Sequence, residues 1–304
     1  SLGRMLMIIP TLVVVIFIIF FILNITPGDP ERIILGHDAP PEALAERNHE
    51  LGMDRPMMER FGKYLLEVVR LDFGQSYRSR QPVFDDIFAK FPTTLVLAVM
   101  AVITMALLGI PLGIISAVRQ YSILDYGLTV TSLLLASVPN FFLALTLIMI
   151  FSLWLGVLPS NGIGSWRHFI LPVLTLALPN AAYLARLTRT SMLETMRQDY
   201  IRTAKAKGAS KGRVVSRHAL KPTLMPIITV LGMRFAYLLG GALIVEIVFG
   251  LPGLGNIIIT AVNMKDAPVI MAAVIFLAVL YKLIMLAVDI IQAMVDPRLK
   301  AQFN

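Results

Sequence analysis

Four ionisable side chains interrupt the last two apolar segments of this 304-residue sequence: Arg234, Glu246, Lys282 and Asp289. An ionised group at the centre of a bilayer costs about 2.5–3.5 kcal/mol on insertion scales, so such groups are expected to face a protein interior or a wet path. At about 1.5 Å per helical residue, Arg234 and Lys282 fall near mid-membrane, both positive. Glu246 and Asp289 fall near opposite interfaces, where water could solvate them. We therefore expect Arg234 and Lys282 to line a pathway and offset an anionic moiety; the alternative is that they pair with acids or carbonyls of a partner chain, or that Lys282 extends to the interface.

Other chemistries have little support. Without cysteine there is no disulfide, thiolate nucleophile or zinc–thiolate site. The four histidines have no metal-ligand spacing, and paired aspartates or a Ser–His dyad within an apolar segment are absent from the sequence. The G-x-x-x-x-G-K-[ST] phosphate loop is also absent. We predict no catalytic residue, no metal site and no cofactor on this chain, which argues against an intramembrane enzyme.

The composition requires a membrane. Hydrophobic residues make up 57% of the chain and charged residues 15%, against about 25% in soluble domains. Because a span needs about 20 mostly apolar residues, the sequence predicts six transmembrane helices. These lie at about 5–28, 91–118, 126–155, 169–186, 224–248 and 268–294. Within the third and fourth, Asn140 and Asn180 follow prolines and place amides where a kink could shape a cavity.

The basic residues orient the chain. Ten of the 27 Lys and Arg residues stand between Arg186 and Lys221, so the positive-inside rule places that loop in the cytoplasm. We therefore predict an all-α polytopic membrane protein with six transmembrane helices and both termini cytoplasmic. Residues 1–25 form the first helix, 26–92 an extracytoplasmic region with short helices at 40–51 and 56–71, and 93–304 the core, whose cytoplasmic loop is 186–223.

The cytoplasmic loop holds a short amphipathic segment that ends at a natural helix stop, Gly208. Tyr200, Ile201 and Ala204 share one helical face. Such a helix could enter a groove on another protein and transmit force; alternatively, it could bind anionic lipid through its cations. The segment comprises Tyr200, Ile201, Arg202, Thr203, Ala204, Lys205, Ala206, Lys207, Gly208 and Ala209.

The segment resembles the cytoplasmic signature of permease subunits of bacterial ABC importers, E-A-A-x-x-x-G, here Arg202-Thr203-Ala204-x-x-x-Gly208 without the leading acid. With Arg217-His218-Ala219-Leu220-Lys221-Pro222 it is similar to the dipeptide/oligopeptide/nickel branch. Further motifs of that branch recur in order along the chain: Thr26-Pro27-Gly28-Asp29-Pro30, Leu51-Gly52-Met53-Asp54-Arg55-Pro56, Phe73-Gly74-Gln75-Ser76, Leu158-Pro159-Ser160, Gly250-Leu251-Pro252-Gly253-Leu254-Gly255 and Asp296-Pro297-Arg298.

This resemblance implies half of a translocation pathway working by alternating access. The expected partners are a second homologous permease, two cytoplasmic ATPase subunits that bind ATP and Mg, an extracytoplasmic solute-binding protein and membrane lipid, but no nucleic acid. Residues 200–209 would be the coupling helix, and Pro252, Gly253, Leu254 and Gly255 an extracytoplasmic gate or docking loop. The expected solutes are di- or oligopeptides, with glutathione, opines or nickel as alternatives. A stand-alone secondary transporter or channel is the main rival.

Overall fold

The structure, a computed structural model, describes residues 2–26, 30–36 and 38–295. The motif residues 27–29 and 296–298 lie outside these ranges. The described chain is helical, with one isolated bridge between Gln75 and Pro82. The helices are α1 (Leu2–Ile25), α2 (Pro30–Leu35), α3 (Pro41–Glu50), α4 (Met57–Val69), α5 (Val83–Val118), α6 (Ile123–Ser137), α7 (Asn140–Leu147), α8 (Ile170–Met196), α9 (Asp199–Ala206), α10 (Lys211–Arg213), α11 (Leu220–Gly241), α12 (Leu243–Val248), α13 (Leu254–Asn263) and α14 (Ala267–Val295).

Two compact units divide the chain. The first comprises Ser1–Thr93 and Pro252–Lys282, and the second Thr94–Leu251 and Leu283–Asn304. Four helices are long and apolar enough to cross a membrane. The number rises to five if α6 and the bent segment after it, Asn140–Trp154, together form one span. The described apolar part of α1, Ile9–Ile25, is shorter than this criterion requires. A polytopic helical protein is thus confirmed, and the count of six spans stays a prediction.

In the first unit, two short helices form where proline and apolar periodicity predict them. Pro40 precedes α3 and Pro56 precedes α4, each in the extended conformation that a helix start requires. One face of α4 packs Phe61 and Tyr64 against the α1 residues Phe17 and Phe20. The short helix α2 was not predicted.

In the second unit, α5 and α8 pack closely enough to exclude side chains. A Cβ atom on Gly109 would stand 2.8 Å from the Ala181 carbonyl oxygen, and one on Gly113 would stand 2.5 Å from that of Ala185. The small-xxx-small pair on α5 therefore serves close helix contact.

The predicted third span is broken rather than continuous, which corrects the expectation of one long helix. Helix α6 and the segment Asn140–Trp154 are bent by 104°. Pro139 has no N–H to donate and disfavours helical backbone at Val138, which is extended (φ −82°, ψ 124°). The segment after the break starts as α7 and continues as a π-helix over Ile148–Trp154.

The predicted fifth span also divides, at Ala242, into α11 and α12. Its acid Glu246 is fully buried, so the expectation that water solvates it at an interface is wrong. The Thr94 hydroxyl donates to Glu246 Oε1 at 2.6 Å. Position along the chain placed this residue near the end of a span, but the packing of α12 against α7 and α8 encloses it.

Candidate coupling and translocation sites

The cytoplasmic signature forms a short, defined helix. Helix α9 begins at Asp199 and its last turn closes at Gly208, whose φ of +82° favours glycine. The Ala209 N–H donates to the Ala204 carbonyl at 3.1 Å, and the Gly208 N–H to the Lys205 carbonyl at 3.0 Å. These two bonds are the Schellman pattern of a helix that stops on glycine. The helix stop predicted at Gly208 is therefore present.

One residue attaches α9 to the rest of the unit. Ile201 is completely buried and packs in one apolar cluster with Ala117 of α5 and Met192 of α8. The cluster also includes Val214 and Ala219, the two ends of a π-helix that follows α10. Motion of α9 is therefore tied mechanically to α5 and α8.

The opposite side of the segment is open. The sequence predicts one shared face for Tyr200, Ile201 and Ala204, but the structure separates the first two. Ile201 is buried, whereas Tyr200 is 47% exposed. Ala204 and Ala209 are half-buried. The remaining residues are exposed, namely Arg202, Thr203, Lys205, Ala206, Lys207 and Gly208. They present a basic surface with one aromatic ring.

An ion pair between a buried acid and a half-buried arginine lies close to this attachment, and no sequence motif predicts it. Arg189 of α8 binds Asp125 of α6 with both ends of its fork, Nε to Oδ1 at 2.7 Å and Nη2 to Oδ2 at 2.8 Å. The Ser116 hydroxyl of α5 and the Tyr121 N–H also donate to the Asp125 carboxylate. The only sequence signal is local: Ser122 caps α6 by accepting from the Asp125 N–H.

Arg234 of α11 lies against an aromatic ring. Its guanidinium carbon is 4.8 Å from the centroid of the Tyr183 ring on α8, a cation–π contact. Asn180 stands one turn before Tyr183, and its amide donates to the Leu176 carbonyl at 2.7 Å. The structure thus brings two predicted pathway residues, Arg234 and Asn180, to neighbouring turns of one helix pair.

The two other predicted pathway residues are placed differently. Asn140 is half-buried and is the first residue of α7, which packs on α8 and α12. Lys282 is half-buried in α14 and belongs to the first unit.

The predicted gate segment Pro252–Gly255 leads into α13. Gly253 is extended (φ −105°, ψ −175°) and precedes the first residue of the helix, Leu254. Leu254 is buried in a cluster with Val83 and Ile87. Gly253 and Gly255 are buried too, while Pro252 is half-buried. These residues fix where α13 begins.

Two family models together match nearly the whole chain. Residues 109–301 match the binding-protein-dependent transport system inner membrane component, and residues 2–98 match the N-terminal part of such membrane components. The chain belongs to this family. The resemblance to ABC importer permeases is confirmed, and the chain is a multi-pass component of the bacterial inner membrane.

Curated relatives agree with this family. The chain is 40% identical over 302 residues to the glutathione transport system permease protein GsiC of Salmonella paratyphi A, covering 98% of each. It is 39% identical to GsiC of Escherichia coli K12 over 98% of this chain and 97% of that one. A chain of the MetNI methionine ABC transporter, solved in inward-facing conformations, shares the fold with a TM-score of 0.61 at 21% identity, covering 71% of this chain and 99% of that chain.

Membership in the family makes the chain a transport component rather than an enzyme. In the part of the chain that the structure describes, no three His, Asp or Glu side chains are grouped to hold a metal ion.

Proposed function

We propose that this chain forms half of the translocation pathway of an ATP-driven importer for glutathione, di- or oligopeptides or related small solutes. The observation that carries the proposal is α9: it is anchored from within by Ile201 and presents its other side as an exposed surface. A surface helix fixed to two long helices can accept force from a protein docked beneath it and deliver that force to the bundle.

In this proposal the chain crosses the membrane six times with both termini inside, and α9 lies in the cytoplasm. The ten cations between Arg186 and Lys221 favour that orientation. Exposed aromatic residues support two boundaries. Trp154 and Trp166 stand at the ends of their helices on the proposed outer side, and Tyr121, before α6, and Tyr126, in its first turn, stand on the proposed inner side.

The family description, a binding-protein-dependent transport component, and the exposed side of α9 support the proposed partners. Two ATPase subunits carry ATP and Mg, and one of them receives the exposed surface of residues 200–209. A second homologous permease completes the pathway, and lipid surrounds both. A solute-binding protein docks outside on residues 26–92 and on the loops that flank Pro252–Gly255.

The three segments of the chain have different proposed roles. Residues 1–25 act as the membrane anchor, residues 26–92 as the docking region and residues 93–304 as the core permease. Arg234, Asn140, Asn180 and Lys282 line the pathway.

The choice of glutathione or peptide rests on the relatives. The GsiC proteins of two species, named for glutathione transport, match this chain along almost its full length. Glutathione and peptides share amide bonds and free carboxylates, so one pathway chemistry would serve both.

Site-directed cross-linking tests the proposal. The chain lacks cysteine, so a single cysteine can be introduced without background. Lys205→Cys, on the exposed side of α9, is expected to cross-link to a co-purified ATPase subunit. The control, Ile163→Cys in the extracytoplasmic loop, is expected to give no such product.

The rival, a stand-alone carrier, makes the opposite prediction. The purified chain alone, reconstituted into liposomes, is expected to take up no glutathione, whereas the complete complex takes it up with ATP. Uptake by the single chain, or labelling of the Lys205→Cys thiol from the outer medium, would overturn the proposal.

A further inference from the structure

Arg234 carries an unpaired positive charge at about the middle of its span. Ten residues at about 1.5 Å each separate it from the start of the apolar part of α11. Apart from the Tyr183 ring, it has no partner in residues 2–26, 30–36 and 38–295: no oxygen there accepts a hydrogen bond from it and no acid forms an ion pair with it. Its N–H groups are therefore available to a molecule outside this chain.

Side chains close to Arg234 are exposed, although most of α8 is buried or half-buried. Between Leu171 and Leu193 on α8, only Tyr183 and Thr190 are exposed. These two lie seven residues apart and share a face. On α11, Met233 is 48% exposed and Tyr237 is 57% exposed. Met233 immediately precedes Arg234, and Tyr237 follows it by three residues, the spacing of neighbours on a helix surface.

Lipid is a poor neighbour for this surface. A cation near the bilayer centre is costly against hydrocarbon, and tyrosine favours the interfaces rather than the midplane. A surface with one arginine and two tyrosines at this depth suits water and a polar solute.

The cation–π contact between Arg234 and Tyr183 limits which solute groups fit. A guanidinium lying over an aromatic face keeps its edge free, and that edge carries the fork of N–H donors that matches a carboxylate. The tyrosine rings also provide apolar contact for a peptide side chain. A single cation stacked on a ring attracts an anion without trapping it, as passage requires.

We infer that Tyr183, Arg234 and Tyr237 form a transient carboxylate-binding site on the wall of the pathway. The site selects solutes with a free carboxylate, such as a peptide C-terminus, as they cross. This inference rests on the proposed function, because it requires that the α8–α11 surface borders the pathway.

Charged thiol reagents test the site without knowledge of the solute. Met233→Cys places a reporter thiol beside Arg234 in the complete importer complex in membranes. The rates of modification by anionic methanethiosulfonate ethylsulfonate and by cationic methanethiosulfonate ethyltrimethylammonium are compared at low ionic strength, where screening is weak. Coulomb's law for one charge across a wet path predicts that Arg234→Gln lowers the anion-to-cation rate ratio about fivefold.

Two controls separate charge from folding. Arg234→Lys keeps the charge and is expected to preserve the anion-to-cation rate ratio at the reporter thiol. When the reporter is instead Ile163→Cys in the outer loop, Arg234→Gln is expected to leave the rate ratio unchanged. A rate ratio at the reporter thiol that does not respond to Arg234→Gln would overturn the inference. So would a reporter thiol that neither reagent modifies in the assembled complex, because the surface would then be covered by the partner permease. Neither outcome affects the cross-link formed by Lys205→Cys, so failure of the site and failure of the proposed function are distinguishable.

Discussion

Asp125 and Arg189, 64 residues apart in the sequence, form a bidentate ion pair between the first turn of α6 and the last third of α8. The carboxylate is almost fully buried and also accepts from Ser116 of α5. Three helix ends are thus held together beside the cluster that anchors α9. The ion pair therefore joins the first turn of α6 to α8, the helix that leads into α9.

Removing the cation is expected to destabilise the protein strongly. Arg189→Gln leaves the buried Asp125 carboxylate without its counter-charge. Breaking a fully buried pair costs about 3–5 kcal/mol, and because Arg189 is 25% exposed and two other donors remain, we expect the lower end of that range. The measurement is the thermal unfolding midpoint of the purified complex. Asp125→Asn with Arg189→Gln removes both charges and is expected to recover part of the loss.

An exposed pair provides the matched control. Arg55, just before α4, lies 3.0 Å from Glu59 in the first turn of that helix, and both side chains are more than half exposed. Because exposed pairs contribute little, Arg55→Gln is expected to leave the midpoint almost unchanged. Equal midpoints for Arg189→Gln and Arg55→Gln would show that the buried pair does not stabilise the fold.

The sequence predicts the local features of this fold well. Helices α3 and α4 follow from proline starts and apolar periodicity, and the end of α9 follows from Gly208, because each depends on neighbouring residues. The Asp125–Arg189 pair has no local pattern. The inward direction of Ile201 depends on where α5 and α8 lie, so periodicity could not distinguish it from Tyr200. The 104° bend at Pro139 needs the packing of α7 on α8 and α12; the proline alone predicts only a kink.

Close packing of α5 on α8 predicts a size limit at Gly113. Its added Cβ atom would come within 2.6 Å of the Thr188 Cβ as well as 2.5 Å of the Ala185 oxygen, and a backbone oxygen cannot rotate away. Gly113→Ala is expected to cost about 1–3 kcal/mol through overpacking. Gly127→Ala on α6 is the control, since that Cβ would meet nothing within 4 Å. Thermal unfolding that does not separate the two variants would contradict the close contact.

Substitution of Gly208, at the end of α9, is expected to impair the coupling of ATP hydrolysis to uptake. Gly208 has a φ of +82° and an added Cβ would have free space, so the effect of Gly208→Ala is backbone strain of about 1 kcal/mol. We expect this variant to loosen the last turn of α9 and to lower ATP-driven uptake by the assembled complex. Gly212→Ala, also in open space but without a positive φ, is expected to transport normally. Equal uptake by both variants would show that the helix stop is dispensable.

The region around Tyr77 is expected to lose stability in alkali. Burial raises the pKa of Tyr77, and the neighbouring Asp266 carboxylate raises it further. The hydroxyl proton of Tyr77 therefore leaves the unfolded chain first, as the pH passes about 10. The contribution of Tyr77 to the free energy of unfolding is fully present below that pH. Above it, the free energy of unfolding falls by up to about 1.4 kcal/mol per pH unit. Burial raises the pKa of Tyr64 in the same direction. Tyr77→Phe should thus reduce the decline of the unfolding midpoint between about pH 9 and pH 11 without abolishing it. The exposed Tyr126→Phe is the control, and an equal decline in both variants would show that Tyr77 is not held neutral by its surroundings.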